Sequence, residues 1–88
     1  APERVLRLRV SMAGPWERWC EIGEPVEVLR PEHAHEGADE PCVPSIRGAV
    51  DEPVNQLRDP CLFCDPDDGT WWLFYAVAGE SGIAVAHL

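Results

Sequence analysis

From residue 61 the chain reads Cys61-Leu62-Phe63-Cys64-Asp65-Pro66-Asp67-Asp68-Gly69-Thr70-Trp71-Trp72-Leu73-Phe74-Tyr75-Ala76-Val77-Ala78-Gly79-Glu80-Ser81-Gly82-Ile83-Ala84-Val85-Ala86-His87-Leu88. Three apolar runs rich in aromatic and β-branched residues alternate with two clusters of turn formers. That composition suits pleated, half-buried strands. Asp65, Pro66, Asp67 and Asp68 with Gly69 predict a turn in which glycine takes the positive φ. Residues 79–82 predict a tight hairpin. The stretch therefore reads as a three-stranded antiparallel meander with strands at 61–64, 71–78 and 83–88. Trp71, Trp72, Phe74 and Tyr75 fall on both of its faces, so at least one face needs a neighbouring sheet.

Working outward, nine prolines punctuate the 88 residues. Only 67–88 is long enough without proline for a lengthy helix, and its pattern is wrong for one. Proline costs a helix interior about 3 kcal/mol, so short strands joined by turns fit better. Residues 4–10 alternate, with Leu6, Leu8 and Val10 on one face and Arg7 and Arg9 on the other, as a half-buried strand does. Residues 16–22 predict a second strand, broken by Gly23-Glu24-Pro25, and 26–29 resume extended structure. Residues 31–60 hold five prolines among acids and histidines. They read as a long ordered loop with one short strand near 48–50. So long a loop is uncommon unless it is functional or packed. The division is thus 1–30 (strands), 31–60 (loop) and 61–88 (meander), in an all-β chain.

Sixteen acids against seven bases, all Arg, give a net charge of −9. Such a surface argues against nucleic acid and anionic membranes as partners. No apolar run approaches the roughly 20 residues of a membrane-spanning helix. The chain begins on Ala1 without a basic and apolar leader, which is expected of a processed chain or a fragment.

Cys20, Cys42, Cys61 and Cys64 are too sparse for a disulfide scaffold. Cys61 and Cys64 form a C-x-x-C inside a strand, where the two positions face opposite ways. Buried free thiols are the favoured reading, with one or two disulfides or metal ligation as alternatives. His33 and His35 share one face if extended and could take a metal with Glu36 or Asp39, but a fourth anchored ligand is lacking. Asp65, Asp67 and Asp68 miss the later acid of a calcium loop. No metal and no cofactor are expected. Ser45 and Ser81 lack a partnered histidine and acid, and no glycine-rich phosphate loop is present.

The run Leu57-Arg58-Asp59-Pro60-Cys61-Leu62-Phe63, then Asp68-Gly69-Thr70-Trp71-Trp72-Leu73-Phe74-Tyr75, then Gly82-Ile83-Ala84-Val85-Ala86, resembles a blade of the five-bladed β-propeller glycoside hydrolases, the arabinanase, β-xylosidase and invertase-like group. About 30 residues carry the likeness. A weaker likeness covers 16–50, where Trp16-Glu17-Arg18-Trp19 and Val28-Leu29-Arg30-Pro31 resemble outer strands of a preceding blade. The resemblance implies one to two propeller-type blades. It also implies a carbohydrate ligand, with Asp59 as the sugar-binding, pKa-modulating or transition-state-stabilising acid and Glu36 as the general acid. Arg58, His35 and Trp71 would line the sugar site. Two such acids would stand about 5–5.5 Å apart for retention and about 6.5–9.5 Å apart for inversion.

The residues themselves support part of this. Proline suits a strand's first position, and the residue before it is held extended, so Asp59 would be presented stiffly with Arg58 beside it to lower its pKa. Several features depart from the pattern. Ala38 stands where a proline usually follows the Glu-Gly pair, Glu36 precedes Asp59, and a third carboxylate is missing. Two blades at most fit in 88 residues, so the chain is expected to be catalytically incomplete. The alternative is a non-catalytic β module that binds sugar or pairs with copies of itself. The expected partners are accordingly a carbohydrate and either the remainder of a propeller or a homo-oligomer.

Overall fold

The computed structural model describes residues 3–88. It is all-β: five strands form two antiparallel sheets, and the described residues contain no α-helix. A ribbon pairs β1 (Val5–Ser11) with β2 (Cys20–Leu29), and a meander is ordered β3 (Arg58–Cys64), β4 (Trp71–Val77), β5 (Gly82–His87). Neither sheet closes on itself.

The meander follows its sequence pattern. Cys61 pairs with Phe74 and Cys64 with Trp71, while Trp72 pairs with His87 and Val77 with Gly82. The 65–69 turn is closed by Gly69 N–H to Asp65 C=O at 2.8 Å, with Gly69 at φ 73°. Asp65 and Asp68 accept from the N–H groups of Asp67 and Thr70. The three aspartates are therefore turn formers, as expected, and no metal-holding cluster occurs among the described residues.

Period two sorts β4 cleanly. Leu73, Tyr75 and Val77 are buried on the inner face with Val5 and Leu57, and Leu29, Ala84 and Ala86 pack against them. The outer face carries Phe63, Phe74, Ile83 and Val85, all exposed. The core thus lies where the first residue of the ribbon and the last residues of the loop meet one side of the meander.

Five expectations are corrected here. Gly23-Glu24-Pro25 does not break a strand. It lies within β2, where Gly23 at φ 73° accompanies a register shift; glycine absorbs the bulge, and the chain stays extended. Residues 16–18 form a 3-10 turn rather than strand. No strand forms at 48–50, and β3 begins at Arg58 rather than 61. Leu6, Leu8 and Val10 are exposed, because only the Val5 end of the ribbon reaches the core. Beyond it Leu6, Leu8 and Val28 border an open groove of about 680 Å³ facing Leu62 and Leu73.

The cysteines are corrected too. All four are free, as favoured, but every one is exposed.

Candidate functional site

The 31–57 loop is anchored by backbone bonds to the β4–β5 hairpin. Ala78 N–H donates to Glu36 C=O at 2.9 Å, Val54 N–H to Ala78 C=O at 3.3 Å, and Gly79 N–H to Gln56 C=O at 3.0 Å. Gly37 makes the close approach possible. It has φ 93°, and a Cβ there would lie 2.4 Å from Val54 O and 2.9 Å from Ala78 Cα.

Glu36 follows from this docking. A 3-10 turn over Ala34–Glu36 carries its side chain inward to 3% exposure. Oε1 accepts the backbone N–H groups of Glu32 and His33 at 3.1 Å each, and Oε2 accepts the Tyr75 hydroxyl at 2.6 Å. Burial pushes the carboxyl pKa upward, but the Tyr75 hydroxyl and the two backbone donors outweigh it and hold Glu36 below its ordinary value. Burial, with the bond to the carboxylate, pushes Tyr75 up to about 12. A general acid needs a proton and an open path to the leaving group. Glu36 has every nearby donor bonded to its charged form, so its geometry is that of an anchor.

Arg58 is also turned inward, at 7% exposure. Its Nε lies 3.1 Å from both Gln56 Oε1 and Glu3 Oε2, Nη1 donates to Gly48 C=O at 2.9 Å, and Nη2 donates to Ile46 C=O at 3.2 Å. Glu80 Oε1 stands 3.4 Å away. The planar fork ties the second half of the loop to the root of β3, a use that arginine geometry suits. The expectation that Arg58 flanks Asp59 and tunes its charge is corrected: the guanidinium is fully occupied inside.

Asp59 is exposed, and its backbone is not extended. It has φ 50°, within the bulge where β3 gains a residue between Arg58 and Cys61 relative to β4. An aspartate ahead of proline in the left-handed region is strained. The buried Arg58 on one side and the β3–β4 ladder on the other hold it there.

The remaining candidates are exposed. His35 is exposed and stacks on His33, ring centroids 5.5 Å apart. Trp71 is exposed at the opposite end of the ladder, paired with Cys64, roughly 17 Å along the strand from Asp59 at 3.3 Å per residue. The structure brings Glu36 to Tyr75 and leaves Asp59, His35 and Trp71 exposed, with Trp71 at the far end of the β3–β4 ladder from Asp59. Sequence reasoning missed Tyr75, Gln56 and Glu80 as partners. One signal was present: Tyr75 sits in register with Leu73 and Val77, and a buried hydroxyl requires an acceptor.

The chain matches no family model and no solved structure. It is 47% identical, over all 88 of its residues, to an uncharacterized protein of Acanthamoeba polyphaga mimivirus. The chain spans 24% of that relative's length.

Proposed function

We propose that the chain is a non-catalytic, carbohydrate-binding sheet unit of propeller-blade type, with Asp59 as its sugar-facing acid. The observation that carries this reading is the strained, exposed Asp59 on a bulge braced by a buried arginine. Strain of about 1–2 kcal/mol for a non-glycine residue in the left-handed region persists only where the surrounding structure over-determines it, and such residues cluster at active sites and ligand clamps. The reading stops at binding because Glu36, the partner acid that hydrolysis would require, is engaged by Tyr75. The blade-like order of β3, β4 and β5, with Arg58-Asp59-Pro60 at the head, is what connects it to sugar chemistry.

Calorimetric titration with arabino-, xylo- and fructo-oligosaccharides tests it. One of these series should bind, and Asp59→Asn, which keeps the side-chain shape and tolerates the same backbone, should weaken that binding at least about tenfold, or 1.4 kcal/mol. Asp59→Gly should relieve the backbone and also lose the sugar. Binding of equal strength in Asp59→Asn, or none by the unaltered chain, would remove the proposal.

A further inference from the structure

The meander has two free edges, and they are not alike. On β3, Asp65 N–H donates to Thr70 C=O at 2.8 Å. Alternation along an antiparallel pair then turns the backbone groups of 61 and 63 toward β4 and those of 62 and 64 outward. This edge also carries Pro60, which offers no N–H, and the bulge between Arg58 and Cys61. Proline and a bulge are what keep an edge strand from templating another strand.

On β5 neither device is present. Leu88 N–H donates to Trp71 C=O at 3.0 Å, so Gly82, Ala84 and Ala86 direct their backbone groups to β4. Ile83, Val85 and His87 direct theirs away from the sheet, and among the described residues β5 pairs with β4 alone. The side chains along this edge are open, Ile83 at 81% and Val85 at 50% exposure. In a chain of net charge −9, the six residues Gly82–His87 contain no acid, no Arg and no Pro.

We infer that β5 is a self-association edge, onto which a second copy of this chain adds its own β5 antiparallel, about a two-fold axis at Val85. Self-complementarity selects this occupant. About that axis Val85 meets its own image in a hydrogen-bonded pair, and Ile83 meets the image of His87 on either side. Ala84 meets the image of Ala86 on the inner face, where small side chains leave room. No like charges are opposed, since Glu80 lies beyond the paired stretch. On the outer face the cross-strand row Cys61, Phe74 and Val85 continues into its image, so a six-stranded sheet replaces two open edges. Edge pairing alone buries less than the roughly 800 Å² per partner of a standard interface, so the dimer is weak and concentration-dependent.

The test compares amide hydrogen exchange and sedimentation mass of the unaltered chain from about 10 µM to about 1 mM, since association follows mass action. At the higher concentration the Ile83, Val85 and His87 amides should exchange at least about tenfold more slowly. Ala84 and Ala86, already bonded to β4, should not change. The mass should move from 9.8 kDa toward twice that value. Val85→Pro removes one outward N–H and leaves the bonds to β4 in place, and it should hold the mass at one chain. The exchange comparison stands even if that variant fails to fold. Exchange at the three outward amides that ignores concentration overturns the inference. So does slowed exchange confined to β1 and β2, or a Val85→Pro chain that folds and doubles its mass as before.

Discussion

The Tyr75 hydroxyl donates to Glu36 Oε2 at 2.6 Å, joining the centre of β4 to a loop residue 39 positions earlier. Removing the hydroxyl leaves a buried carboxylate short of a donor, which costs about 1–3 kcal/mol. Tyr75→Phe should therefore lower the unfolding free energy in urea by that amount while keeping the same strands. A Tyr75→Phe chain that unfolds at the original midpoint would show that the bond contributes nothing.

The same pair sets two pH limits. Glu36 has a folded pKa below its ordinary value near 4.5, so the stability it contributes is present above that value and is lost as pH falls through the depressed one. Tyr75 has a folded pKa raised from 10.0 to about 12. Its contribution is present below 10.0 and is lost as pH rises toward 12. Thermal melts across both windows should show a loss at each end. In Glu36→Gln the acid-side loss should shrink.

Gly37→Ala asks for a methyl group where Val54 O and Ala78 Cα already stand, at a φ of 93°. Overpacking and a left-handed alanine together should cost more than about 2 kcal/mol. Limited proteolysis should then cut within 31–57 sooner than in the original chain. Unchanged resistance would mean that the loop docks without this contact.

Arg58→Lys keeps the charge but loses the fork that reaches Gln56, Gly48 and Ile46 at once. Breaking a buried charged network in this way costs about 3 kcal/mol. Chemical denaturation should report it, and a difference below about 0.5 kcal/mol, the ordinary range of surface substitutions, would count against the bracing role.

Because Cys20, Cys42, Cys61 and Cys64 are all exposed and free, an aromatic disulfide reagent should titrate all of them in the folded chain without denaturant. Any thiol that reacts only after unfolding would contradict that exposure.

The meander was legible because its information is local. Alternation over 71–77 and the turn residues at 65–69 determine strand, register and inner face without reference to distant groups. The ribbon was legible as strand but not in its burial. The alternation of Leu6, Leu8 and Val10 records a face suited to covering, and none of the described residues covers it. The roles of Glu36 and Arg58 were hidden for a different reason. Both are ionisable residues in motifs that suggest chemistry, and their partners, Tyr75 for one and Glu3 with Glu80 for the other, lie far away along the chain. A lone sequence does not reveal such pairings. The proline after Asp59 favours extended backbone, whereas the bulge against β4 overrides that local preference.

The long tether between Glu36 and Tyr75 also bears on how the molecule assembles. Hairpins β3–β4 and β4–β5 close over short intervals and can form quickly, whereas the docking of 31–57 must wait for a wide loop to find its seat. The docking that withdraws Glu36 and Arg58 from water therefore carries a larger closure entropy than either hairpin.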